Sequence, residues 1–84
     1  MPKSRIAERI KTPQDKLEEL QKVISKNISI KMAELELNQV SLAILSQISQ
    51  PYISAKLSGK KTYSLFDLIR LAQALHCDIV DLIK

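Results

Sequence analysis

The chain has 84 residues, a formal net charge of +4, and 45% apolar but only 4% aromatic residues, which bounds it to one small domain. A core of Leu, Ile, Val and Ala without strand-like alternation predicts an all-helical protein. The lone Cys77 excludes an internal disulfide, and with His76 as the only histidine the pair falls short of a four-ligand metal site. No apolar run nears the roughly 18 residues of a membrane span, and the basic start has no apolar stretch behind it to make a secretory signal. The expectation is a cytoplasmic protein with no cofactor, no membrane and no enzymatic chemistry. At this size burial is marginal, so tight helix packing or dimerisation is expected to contribute.

Residues 1–12 read as a basic arm with Lys3, Arg5 and Arg9, and 13–84 as the folded domain. Thr12 and Pro13 start the first helix as N-cap and first helical residue. Leu17, Leu20, Ile24, Ile28, Met32 and Leu35 then recur at steps of three and four, predicting one long amphipathic helix to about residue 36. Asn27 and Ser29 mark a weak point within it. Asn38 caps a second helix from Gln39 to about Gln47, and a short turn at Ile48 leads to Ser49, the N-cap of a third. Pro51 falls in the first turn of that helix, where a missing N–H costs little, and Gly59, the chain's one glycine, ends it. Ser64 and Asp67 have capping-box spacing for a fourth helix, whose buried face reads as Leu65, Leu68, Ile69, Ala72 and Leu75. Asp78 and Asp81 repeat the spacing for a short fifth.

Charge is distributed unevenly over these elements. After Glu36 the next acidic residue is Asp67, and the gap contains Lys56, Lys60 and Lys61. A polyanion is the simplest partner to impose such a gap. Two short helices joined by a tight turn, the second opening on small polar residues, describe a helix-turn-helix at 39–58. A helix entering a major groove about 12 Å wide needs short amide or hydroxyl side chains at its tip and cations on its flanks. Ser49, Gln50, Tyr52 and Ser54 with Lys56, Lys60 and Lys61 supply that set.

On Leu37, Asn38, Gln39, Leu42, Ala43, Ser49, Gln50, Ile53, Ser54, Gly59 and Lys60, the chain resembles the phage-repressor (Cro/cI-like, or XRE) helix-turn-helix family. The likeness covers roughly residues 26–84 and is nearest to a compact subgroup that includes antitoxins. The resemblance implies a five-helix lambda-repressor-like domain, here with an extended first helix, that binds double-stranded operator DNA. It implies that Gln39 bonds a phosphate and braces Gln50, and that Gln50 reads a base edge, adenine by its bidentate amide. Ser49, Tyr52 and Ser54 would touch phosphate or neighbouring bases, and Lys60 and Lys61 the phosphate backbone.

Some positions depart from the family pattern. Gln47 stands where the family has Gly; a left-handed Gln costs on the order of 1 kcal/mol, which predicts a reshaped turn. His76 likewise replaces a Gly. Ser46 and Lys56 occupy apolar positions, which predicts a looser core, and Pro51 and Ala55 thin out direct base readout. Tyr52 either packs on the second helix or meets DNA, and Tyr63 is either a core aromatic or a base-stacking one. The arm is either a tail or a minor-groove and phosphate contact. Val40 and Ile44 are either covered by the extended first helix or left as a dimer seam or docking face. Two functions follow: a homodimeric repressor, or an antitoxin that binds a toxin protein and represses its own operon.

Overall fold

The computed structural model describes residues 12–84, so the arm, apart from Thr12, lies outside the described residues. Five helices follow in order: α1 (Pro13–Glu34), α2 (Gln39–Ser46), α3 (Gln50–Leu57), α4 (Leu65–Ala74) and α5 (Ile79–Ile83). There is no strand among the described residues.

Each start obeys local chemistry. The Thr12 Oγ1 accepts the Asp15 N–H at 3.1 Å, while the Thr12 N–H donates to the Asp15 carboxylate at 3.3 Å, a reciprocal box in front of Pro13. Asn38 Oδ1 accepts the Ser41 N–H at 2.8 Å. Ser64 and Asp67 form the second box, at 2.9 and 3.0 Å. The Asp78 N–H donates to the Asp81 carboxylate at 3.0 Å ahead of α5. Between these starts α1 runs unbroken through Asn27 and Ser29. Its interior polar residues find partners on other elements: Asn27 Nδ2 donates to the Leu82 carbonyl at 2.9 Å, and the Ser25 hydroxyl shares a 2.8 Å hydrogen bond with Tyr63.

One core joins all five helices. Ile24, Ile28 and Met32 of α1 meet Leu42, Ile53, Leu71, Leu75 and Leu82, with Ile48 of the turn closing the middle. Each such side chain contributes about 1.5–3 kcal/mol by leaving water. Two expected faces are corrected here. Leu17 and Leu20 stay exposed because the first turns of α1 extend past the body, where residues 12–20 are all exposed, and Leu35, the C-cap at its other end, is exposed too. On α4, Leu65 (70% exposed) and Ile69 point outward, while Leu71 and Ala74 take their place beside Leu68, Ala72 and Leu75. Asp67, Arg70 and Gln73 mark one polar stripe, but the apolar arc opposite it is wider than the contact, so the period alone did not select which part of that arc is buried.

Three helices end alike. Behind α1, α3 and α4 the chain turns left-handed at Glu36 (φ 56°), Gly59 (φ 87°) and His76 (φ 55°). The next N–H then reaches back to the third-last helical carbonyl: Leu37 to Met32 at 2.8 Å, Lys60 to Ala55 at 2.8 Å and Cys77 to Ala72 at 3.0 Å. These are Schellman closures. His76 and Cys77 are thereby given a structural place.

The end of α2 differs. Gln47 does adopt the left-handed conformation (φ 61°, ψ 28°), so the reshaped turn expected from its side chain is not found. Side chains supply the missing cap. Ser46, buried where an apolar residue was expected, accepts the Ile48 N–H on its hydroxyl at 3.3 Å, and Arg70 donates to the Gln47 carbonyl at 3.3 Å. No buried side-chain polar atom among the described residues lacks a partner. Gln47→Gly is expected to raise stability by about 1 kcal/mol, because glycine takes a positive φ without the Cβ clash. A thermal melt checks it: the midpoint should rise by about 4–8 °C.

Candidate nucleic-acid interface

The helix-turn-helix is α2, the Gln47–Ser49 turn and α3. Helix α3 buries Ile53 and Lys56 and leaves its leading edge outside. At 100° per residue the outward ridge is Pro51, Ser54, Ala55 and Ser58, all small, while Gln50 and Tyr52 fall on opposite flanks roughly 160° apart. A low ridge lets the helix backbone approach a groove floor closely.

The two flanks are built differently. On one, Gln50 Nε2 donates to Gln39 Oε1 at 2.9 Å across the turn, joining the first residues of α2 and α3. Gln50 is exposed and Gln39 partly so. Fixing its neighbour's amide leaves Gln50 with one N–H and its carbonyl oxygen free to present. On the other flank, the Lys61 ammonium sits 5.4 Å from the centre of the Tyr52 ring. Tyr52 therefore pairs with the loop after α3, away from α2. Ser49 caps the helix by position alone, with no side-chain capping bond, and its exposed hydroxyl shares a recess with Tyr52 and Lys61. Ser54 and Lys60 are exposed, and no hydrogen bond or ring contact joins either side chain to the other six predicted residues.

Lys56 is the correction within the predicted set. Its ammonium is buried, 2.8 Å from the Asp67 carboxylate and 3.0 Å from the Thr62 carbonyl, so it offers no charge to a phosphate. Asp67 in turn shows that a gap along the chain is not a gap in space, since α4 brings this carboxylate into the Tyr52–Lys61 recess. Burial raises the Asp67 carboxyl pKa. The hydrogen bonds from Lys56 and Ser64 and the nearby ammonium outweigh that and hold it below the ordinary aspartate range. The carboxylate's charge is thus spent on Lys56.

Tyr63 belongs to the core edge, half-buried with its hydroxyl on Ser25, and burial pushes its phenol up despite that bond. The overhanging start of α1 adds a feature that the sequence left unplaced. Gln21 Nε2 donates to the Lys61 carbonyl at 3.4 Å, and Glu18 and Lys22 line a groove with Leu57, Ser58 and Gly59 at the far end of α3. Val40 (58% exposed) and Ile44 (72%) are not covered by α1, which removes the core reading for them.

No group of three or more His, Cys, Asp or Glu side chains among the described residues is placed to hold a metal ion. None of the described helices is long and apolar enough to cross a membrane. No curated protein and no solved structure gives a significant match to the chain. A family model does: the Cro/C1-type HTH DNA-binding domain matches residues 27–84, from the middle of α1 to the last residue. With more than half of the chain matched and five helices in place, the chain belongs to the Cro/C1-type helix-turn-helix DNA-binding family.

Proposed function

We propose that this protein is a sequence-specific repressor that binds double-stranded operator DNA as a homodimer. It performs no chemistry and acts by occupying a promoter. The observation that carries the reading is the Gln39–Gln50 hydrogen bond at the exposed start of α3, a pre-oriented amide on a helix tip without exposed carboxylates. In this reading Gln39 bonds a phosphate and Gln50 reads a base edge in the major groove. Ser49, Tyr52 and Ser54 contact phosphate or adjoining bases, and Lys60 and Lys61 neutralise backbone charge beside the groove. Two copies place two α3 helices about one helical turn of DNA apart.

Selection of bound sequences from a random duplex pool tests this directly. A two-fold symmetric site with half-sites about 10 base pairs apart supports a homodimer; failure to enrich any sequence sinks specific binding. On the selected site, Gln50→Ala is expected to cost about 1–3 kcal/mol and to relax preference at one position per half-site. Stability should hardly change, since Gln50 is exposed. Unaltered affinity and preference would remove Gln50 as a reader.

Exposed Val40 and Ile44 favour a second reading, in which the same DNA-binding protein is also an antitoxin and this apolar face of α2 holds a toxin. Co-purification with a small protein encoded next door, lost in Ile44→Lys, distinguishes the antitoxin from a lone regulator.

A further inference from the structure

Helix α3 has two flanks, and a major groove has two phosphate rims. An α-helix with its side chains is about 10–12 Å across, and the groove is about 12 Å wide, so a helix lying in it meets a rim on either side. Gln39 serves the rim on the Gln50 flank. The Tyr52 flank opens on a shallow recess of about 520 Å³, whose wall is completed by α4 through Asp67 and Arg70. Three cationic side chains line it, Lys56, Lys61 and Arg70, against the single carboxylate of Asp67. Lys56 and Asp67 cancel one another at 2.8 Å. Two positive charges remain.

Arg70 is the better held of the two. Its guanidinium lies 4.1 Å from the centre of the Phe66 ring and donates one N–H to the Gln47 carbonyl at 3.3 Å. It makes no ion pair among the described residues. A guanidinium carries five N–H donors in a rigid fork, so most of this one remains available after the bond to Gln47. Stacking and a single hydrogen bond orient such a group without neutralising it. An oriented, uncompensated guanidinium is well suited to a phosphate oxygen pair.

We infer that Arg70, although outside the helix-turn-helix, is a DNA-backbone contact, clamping with Lys61 the phosphate rim opposite the one bonded by Gln39. The inference rests on the DNA-binding reading above and adds a residue and a strand to it. Because the same guanidinium holds the Gln47 carbonyl, phosphate binding also braces the left-handed turn that aims α3.

Arg70→Gln and Arg70→Lys in the full chain, measured on the site selected by the wild type and on a random duplex, test it. Arg70→Gln is expected to weaken binding roughly tenfold in low salt and equally on both duplexes. Its plot of log affinity against log salt should flatten by about 0.9, the loss of one neutralised phosphate. Arg70→Lys should keep the wild-type slope. A purely structural Arg70 would instead lower the melting temperature and leave the slope of the folded fraction unchanged, which overturns the inference. Should Arg70→Gln not fold, the wild-type Arg70 Nε–H resonance decides. A shift and slowed exchange on adding duplex support the contact, and an unmoved signal overturns it. A wild type that binds no duplex at all fails the DNA-binding reading itself, which these outcomes keep separate.

Discussion

Lys56→Ala is expected to lose about 2–3 kcal/mol of folding stability, because it leaves a partly buried carboxylate without its ammonium. The ammonium at the end of α3 does two jobs. It neutralises Asp67 at the first turn of α4, and it holds the Thr62 carbonyl in the loop that carries Lys60 and Lys61. Removing the pair as a whole is a different experiment. Lys56→Met with Asp67→Asn fills the space, leaves no bare charge, and keeps an oxygen for the Ser64 N–H. The double variant is expected to recover most of the loss, as buried pairs replaced by neutral groups of similar volume often do. Urea midpoints of the two single variants and the double decide it, and a double variant as unstable as Lys56→Ala would count against the charge argument.

Asp67 also sets a pH dependence. Its folded pKa lies below the unfolded one, so its contribution is complete above the ordinary aspartate range near pH 4 and is lost as pH falls through the lowered folded value. In Asp67→Asn that acid-side loss should shrink, so the gap to wild type closes as the solution is acidified below about pH 4. A gap that stays constant from pH 6 to 3 would place the carboxylate in no such pair.

Much of the fold could be read from neighbouring residues because capping is local. Thr12, Asn38, Gly59 and the Ser64–Asp67 box sit where the sequence puts them, each within four residues of the group it satisfies, and Ser49 holds its cap position without a side-chain bond. What escaped depends on partners far along the chain. The burial of Lys56 needs Asp67 on the next helix. The left-handed Gln47 is tolerable because Ser46 and Arg70 replace the missing backbone cap, at a cost of order 1 kcal/mol that tertiary contacts easily exceed. The outward Leu65 and Ile69 could not be told from the inward Leu71, since all three lie on one apolar arc wider than the contact. At the candidate site the pairing of Gln39 with Gln50 is what the family resemblance implied, whereas nothing near Arg70 in sequence says that it meets the turn 23 residues earlier.

Leu42→Ala is the second large effect, expected at about 2–5 kcal/mol. Leu42 is 0% exposed and packs in the interior with Ile28, Ile53 and Leu71, where three helices converge behind α3. An 84-residue domain has total stability of roughly 4–13 kcal/mol. Truncation at this point therefore approaches the whole margin, and warming should unfold the variant well before wild type. Leu42→Met, nearly equal in volume, should cost under about 1.5 kcal/mol. The consequence for DNA binding separates packing from contact. Leu42 touches the interior alone, so Leu42→Ala should bind less by its unfolded fraction, and excess duplex should restore binding by mass action. Its salt slope and base preference should match wild type, because every contacting side chain is retained. Gln50→Ala should do the reverse, altering preference at a wild-type urea midpoint. If Leu42→Ala changed base preference while remaining fully folded, the angle between α2 and α3 would be adjustable, and the Gln39–Gln50 hydrogen bond would not be enough to fix the reading head.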